Sequence, residues 1–202
     1  MTHFSQIGEK WNVCLRVGLV MAEILNRKKE MILDQRNGDC LVSDMKISRS
    51  YVVTPIGMLR IDACRDGILC VKKVDEAGGA DVMLGDSSGD LVKRCALELG
   101  EYFAGERRVF DLPLKLQGTA FQRRVWSILE EIPYGETRSY RQVALRCGNE
   151  KAARAVGMAS HANPVLILVP CHRMIGTDGS LTGYAAGIGA KRYLLQMEKR
   201  GL

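Results

Sequence analysis

Residues Val165-Leu166-Ile167-Leu168-Val169 form a short, uncharged run rich in β-branched side chains, and Pro170 stands directly behind it. Such a run reads as a buried strand. Pro170 has no N–H to give to a ladder, so the strand is expected to end there. Cys171 is thereby placed where a core strand opens into a loop, next to His172 and Arg173. A cysteine between an apolar floor and two potential cations is a candidate nucleophile, because cationic surroundings favour the thiolate. A packed, inert cysteine is the alternative, since free cysteine is among the most buried residue types. The motif alone does not separate the two readings; the surrounding chain does.

At 202 residues the chain has room for one large domain or two small ones with cores of their own. Its 47% apolar content is that of a globular protein. No apolar stretch is long enough to cross a bilayer, and residues 1–25 lack a signal-peptide core or cleavage site. The seven cysteines are scattered, odd in number and without a CxxC pair. This argues against a disulfide framework and for a reducing, intracellular compartment: cytoplasmic in a bacterium, nuclear in a eukaryote. Three histidines without paired ligand spacing argue against a metal site. A net charge of +6 is compatible with nucleic acid without requiring it. Clustering matters more: Arg123, Arg124, Arg138, Arg141, Arg146, Lys151 and Arg154 fall in one short region. A solvated helical surface explains them unless those helices form a DNA-docking motif.

The chain divides into an unassigned extension (1–48), an α/β module (49–113) and a mainly helical module (114–202). In the first, Val17–Leu25 has the pattern of a helix. In the second, Tyr51–Thr54 and Met58–Ala63 read as a hairpin, with Ile68–Val74 as a third strand behind the Asp66-Gly67 turn. Ala77–Asp90 is rich in Gly, Ser and Asp and reads as a loop. Leu91, Cys95, Leu99, Tyr102 and Phe103 then recur at helical spacing up to Gly105, with no catalytic constellation among them. Residues 110–118 form a linker. Thr119 and Gln122 make a capping box for a helix bearing Phe121, Val125, Ile128, Leu129 and Ile132. Ser139 and Gln142 make a second box for a short helix ending near Cys147. Gly148 and Asn149 mark the stop and the next start, with a third helix over Glu150–His161. Two short helices around a Gly-containing turn suggest a helix-turn-helix. The third helix has the tiny residues Ala152, Ala153, Ala155, Gly157, Ala159 and Ala162, which permit close approach of another surface, with Arg154 as the long cation among them.

The ordered set Gly118–Gln122, Ile132-Pro133-Tyr134-Gly135-Glu136-Thr137, Ser139-Tyr140, Lys151–Gly157, Asn163-Pro164, Pro170–Arg173 and Thr182-Gly183-Tyr184 resembles the O6-alkylguanine-DNA alkyltransferases, the methylated-DNA–protein-cysteine methyltransferases. The resemblance spans about Gly118 to Glu198. It implies a ribonuclease H-like N-terminal domain, a small antiparallel sheet plus helix, followed by a mainly α, winged-helix-like domain with the helix-turn-helix. It also implies direct DNA repair by an irreversible chemistry: the alkyl group moves from guanine O6, less readily from thymine O4, onto Cys171, once per molecule. His172 is then a base acting through a water, and Glu198 orients it. Tyr140 assists base flipping and proton transfer. Arg154 is a finger that fills the vacated stack from the minor groove, with Ala153 and Gly157 close to the DNA. Asn163 is a hinge, and Tyr184, Ala185 and Ala186 form a lid over the flipped base. The implied partner is double-stranded DNA, bound by a monomer.

Two departures from the family pattern bear on the site. Vertebrate members hold a structural zinc, but here no histidine occurs between His3 and His161, so neither zinc nor another cofactor is expected. Leu166 replaces a proline in the pocket and Ala186 a glycine on the lid, which implies a tighter pocket that handles methyl better than benzyl. A lesion-binding relative without transfer is countered by the presence of Cys171. A cysteine hydrolase would need a base away from the nucleophile and an oxyanion hole, and only His3, His161 and His172 are available, with no hydrolase motif.

Overall fold

Three antiparallel strands, β1 (Ser48–Thr54), β2 (Gly57–Cys64) and β3 (Gly67–Val74), open the described part of the chain in the order β1-β2-β3. The computed structural model describes residues 46–76 and 87–201; the Val17–Leu25 helix expected from the pattern lies outside them. Helix α1 (Ser87–Phe103) covers one face of the sheet. Val92, Cys95, Leu99 and Tyr102 form its buried stripe against Leu59, Ile61, Ala63, Ile68 and Val71. The helix starts earlier than the loop-like composition of Ala77–Asp90 suggested. Ser88 is tied by its hydroxyl to Ser48 at 2.8 Å, and Asp90 complements the positive end of the helix dipole. Gly105 ends the helical region with a left-handed φ of 77°.

The outer edge of β3 is occupied twice, and this positions the site. Ile68 N–H donates to Pro113 O at 2.8 Å and Lys115 N–H to Ile68 O at 2.9 Å, which lays the linker along the strand. Further on, Val71 N–H donates to Pro164 O and Leu166 N–H to Val71 O, both at 2.9 Å. An otherwise open edge is thus paired by the linker and by the segment Pro164–Leu166.

Both capping boxes form: Thr119 and Gln122 start α2 (Ala120–Glu130), and Ser139 and Gln142 start α3 (Tyr140–Arg146). Val125, Trp126, Ile128 and Leu129 are the buried face of α2, while Phe121, expected on that face, is 38% exposed. Trp126 takes the central place instead. Its indole N–H donates to Ala159 O at 2.8 Å, and a Cβ at position 118 would lie 2.6 Å from its ring, so Gly118 is what lets the chain pass. After the turn at Gly148, the third helix begins as a 3-10 turn (Glu150–Ala152), started by Asn149, and continues as α4 (Ala153–His161). A two-residue parallel ladder joins β4 (Arg138–Ser139) to β5 (Met174–Ile175), and α5 (Ile188–Arg200) closes the fold.

The expected strand Val165–Val169 is not one. Only single bridges form, Val71 to Val165 and Leu166 to Val169, and the chain doubles back at Ile167, whose φ is 74°. A β-branched residue in this region is strained by about 1–3 kcal/mol. The run is buried as expected, but its direction is set by partners distant in sequence.

Candidate active site

Asn163 organises this doubled-back loop. Its Oδ1 accepts Val165 N–H at 3.0 Å, and its Nδ2 donates to Val169 O at 2.9 Å and Cys171 Sγ at 3.1 Å. The same amide therefore fixes the loop and touches the sulfur. Cys171 opens a short 3-10 turn (Cys171–Arg173) and is only 3% exposed. Burial pushes its thiol up to about 11, opposed by the Asn163 hydrogen bond and the charge of Lys191. Almost none of it is thiolate at neutral pH, so a base must act on it.

His172 is fully buried and points Nε2 at Glu198 Oε1, 2.8 Å away, while its Nδ1 is buried without a partner. Burial lowers its pKa, with Glu198 opposing, so the imidazole is neutral and able to take a proton. Glu198 accepts from Tyr102 Oη at 2.6 Å, from Gly135 N–H at 3.0 Å and from Arg173 Nε and Nη2 at 2.9 Å each. Burial alone would raise this carboxyl, but hydrogen bonds from His172 and Arg173, with the charge of the guanidinium, hold it well below the usual carboxylate range. Arg173 also donates to Ile132 O at 2.6 Å. The buried pair is thus satisfied on every side, the condition under which an ion pair survives burial.

Tyr140, first residue of α3, donates its hydroxyl to Thr182 O at 2.9 Å, and its Oη accepts from Lys191 Nζ at 3.4 Å. Tyr184 is buried, its ring 6.3 Å from that of His172 in an edge-on arrangement, and its hydroxyl has no partner. Ala186 beside it is buried and Ala185 exposed. Two unpartnered polar atoms, His172 Nδ1 and Tyr184 Oη, thus belong to neighbouring side chains at the Cys171 turn.

The family model for the 6-O-methylguanine DNA methyltransferase DNA-binding domain matches residues 120–200. A methylated-DNA–protein-cysteine methyltransferase from Methanosarcina acetivorans is 43% identical over 148 residues, covering 72% of this chain and 94% of the relative. The chain belongs to the methylated-DNA–protein-cysteine methyltransferase family. The crystal structure of the Mycobacterium tuberculosis O6-methylguanine methyltransferase is 40% identical, with a TM-score of 0.69 over 78% of this chain and 95% of that one. A Mycobacterium tuberculosis OGT in complex with DNA is 41% identical, with a TM-score of 0.66 over 75% and 92%. As in that family, an N-terminal sheet module precedes a helical one.

In this methyltransferase the N-terminal half does supply a site residue, contrary to the expectation from the sequence. Tyr102 was legible only as part of an apolar helix face, yet its hydroxyl crosses to Glu198. Lys191 was missed altogether. It is buried, donates to Thr182 O at 2.8 Å and lies 5.6 Å from the Tyr140 ring centroid. Burial lowers its pKa to about 8, with Cys171 opposing. A signal was available: Lys191, Leu194, Leu195 and Glu198 are spaced i, i+3, i+4 and i+7, two charged residues on the buried face of α5.

The basic cluster is less uniform than its sequence suggests. Arg138 pairs with Glu136 at 2.7 Å, Arg141 with Glu150 and Arg146 with Glu131. Among the described residues Arg123, Arg124, Lys151 and Arg154 have no ion pair. The tiny residues of the third helix also divide. Ala159 is buried and Gly157 faces the Tyr140 ring, where an added Cβ would sit 3.7 Å away. Ala152 and Ala153 are half-buried, and Ala155 and Ala162 face out with Arg154. Part of the smallness serves packing between helices. Among the described residues no cluster of His, Cys, Asp and Glu has the makings of a metal site. No described helix is long and apolar enough to cross a membrane.

Proposed function

We propose that this chain repairs alkylated DNA by moving an alkyl group, mainly methyl, from guanine O6, and less readily thymine O4, onto its own Cys171. The observation that carries the reading is the state of His172, the residue after Cys171 in the same turn: Nε2 is committed to Glu198, and Nδ1 is buried and unpartnered. Through a water, Nδ1 takes the Cys171 proton. The thiolate attacks the alkyl carbon, the C–S bond forms, the bond to O6 breaks, and its electron pair stays with the guanine. Tyr140 gives the departing base a proton, with Lys191 behind its hydroxyl. The thioether is stable, so each molecule acts once.

A sulfur this deeply buried does not reach a base inside a stack, so the base is flipped out of the duplex. Arg154, unpaired on the outer face of α4, fills the gap from the minor groove, with Ala153 and Gly157 allowing close approach and Asn163 linking that helix to the reactive loop. Tyr184, Ala185 and Ala186 cover the extruded base, and the protein acts as a monomer. The same reading takes the N-terminal module as ribonuclease H-like, on its strand–strand–strand–helix order.

Mass spectrometry of the protein after incubation with an O6-methylguanine duplex tests this. One added methyl on the peptide containing Cys171 is expected. An unmodified protein still bound to the duplex would refute transfer. Replacing Arg154 with Ala is expected to slow transfer from the duplex by about 30-fold or more, the factor for about 2 kcal/mol of lost support for the flipped state. Reaction with the free base O6-methylguanine, measured in parallel, should change less than about twofold; an equal loss in both assays would contradict the finger role.

A further inference from the structure

The outward stripe of α4 consists of Arg154, Ala155, Met158, His161 and Ala162, while Val156, Ala159 and Ser160 are buried on the other side. Met158 is 72% exposed, far more than packing of the fold requires. An isolated exposed apolar residue carries no message by itself. Met158, however, lies one helical turn beyond Arg154 on the same stripe, and Arg154 and Lys151 have no ion pair among the described residues. The face around this methionine is therefore cationic and fits a polyanion rather than an apolar protein surface.

We propose that Met158 is a second wedge for the duplex: it enters the minor groove beside Arg154 and loosens the neighbouring base step. This deepens the function proposed above and rests on it. Four residues of helix advance about 6 Å, close to two base steps of about 3.4 Å. With Arg154 in the space of the flipped nucleotide, Met158 meets the stack one to two steps away. Apolar side chains between base steps unstack them and kink the duplex. A thioether on an unbranched chain adapts to an irregular gap. The two side chains divide the work, since the arginine is drawn by phosphates and its contribution falls with salt, whereas the methionine contributes through apolar contact and does not.

The full chain and its Met158→Ala, Met158→Gln and Met158→Leu variants are compared on an O6-methylguanine duplex with 2-aminopurine two pairs from the lesion. Cys171 methylation, 2-aminopurine fluorescence and reaction with free O6-methylguanine are read together. Met158→Ala and Met158→Gln are expected to slow transfer from the duplex about tenfold, the factor for about 1.4 kcal/mol of lost apolar contact, and to lose the fluorescence rise. Met158→Leu should keep both, and all variants should match the parent on the free base. A parent-like alanine variant overturns the proposal, as does a leucine variant as slow as the alanine one or a parallel loss on the free base. If the parent transfers no methyl at all, the repair reading fails on its own. A fluorescence rise that depends on Met158 would then still support the wedge, and its absence in the parent would overturn it.

Discussion

Replacing Cys171 with Ser abolishes alkyl transfer and leaves duplex binding within about twofold. The loss is expected to be at least about 10³-fold, the scale on which an enzyme responds to removal of its nucleophile. The serine is smaller by little, and its Oγ still accepts the Asn163 amide that now meets Cys171 Sγ at 3.1 Å. The loop therefore keeps its shape while the reactive atom becomes a far weaker acid and nucleophile. The groups proposed to hold DNA, Lys151 and Arg154, lie on another element and retain their charge. Mass spectrometry of the treated protein and a gel-shift titration measure the two quantities separately. Residual methylation in the serine variant would point to another thiol, of which the half-buried Cys147 is the accessible one among the described residues.

Replacing Glu198 with Ala destabilises the protein by about 3–5 kcal/mol, because Arg173 is left buried without its counter-charge. For a chain of this length that lowers Tm by about 10 °C. Glu198→Gln retains an acceptor and shape but not the charge, and falls between the two. The pH dependence follows from the same carboxylate. Its folded pKa lies below the unfolded value of about 4.3, so the unfolded chain is protonated first. Its contribution is complete above that value and is lost as the pH falls toward the folded one. His172 works in the same direction, since its folded pKa is also lowered, and the unfolded imidazole gains a proton from about pH 6.5 downward. Thermal unfolding of the parent should therefore shift to lower temperature on acidification, and the glutamine variant should show a flatter profile below about pH 4.3. Identical profiles for the two proteins would contradict the assignment.

What was legible in the sequence is what is determined locally. Thr119 and Gln122, or Ser139 and Gln142, decide a helix start among themselves, and both starts are found where those pairs stand. The hairpin and third strand have their own turns and alternation. Val165–Val169 shows the limit: its composition says buried, but the reversal at Ile167 depends on the Asn163 side chain and the backbone of Val71. No window around the run contains both. Tyr102 and Lys191 escaped for a related reason. Each looks ordinary on its own helix, one as core and the other as a solvated cation, and becomes part of the site only when elements far apart in sequence meet.

The burial of Cys171 has a consequence for how long the protein stays useful. In the proposed transfer each molecule is a reagent used once, and it must not be spent on the wrong electrophile. Its thiol is 3% exposed and raised to about 11, so small alkylating agents in solution meet neither an open approach nor much thiolate. An unfolded chain would offer a freer and more acidic sulfur, near 8.5. Folding thus keeps the thiol dormant, and under the proposed transfer the sulfur is spent on a base that binding has delivered rather than on the agents that damage DNA.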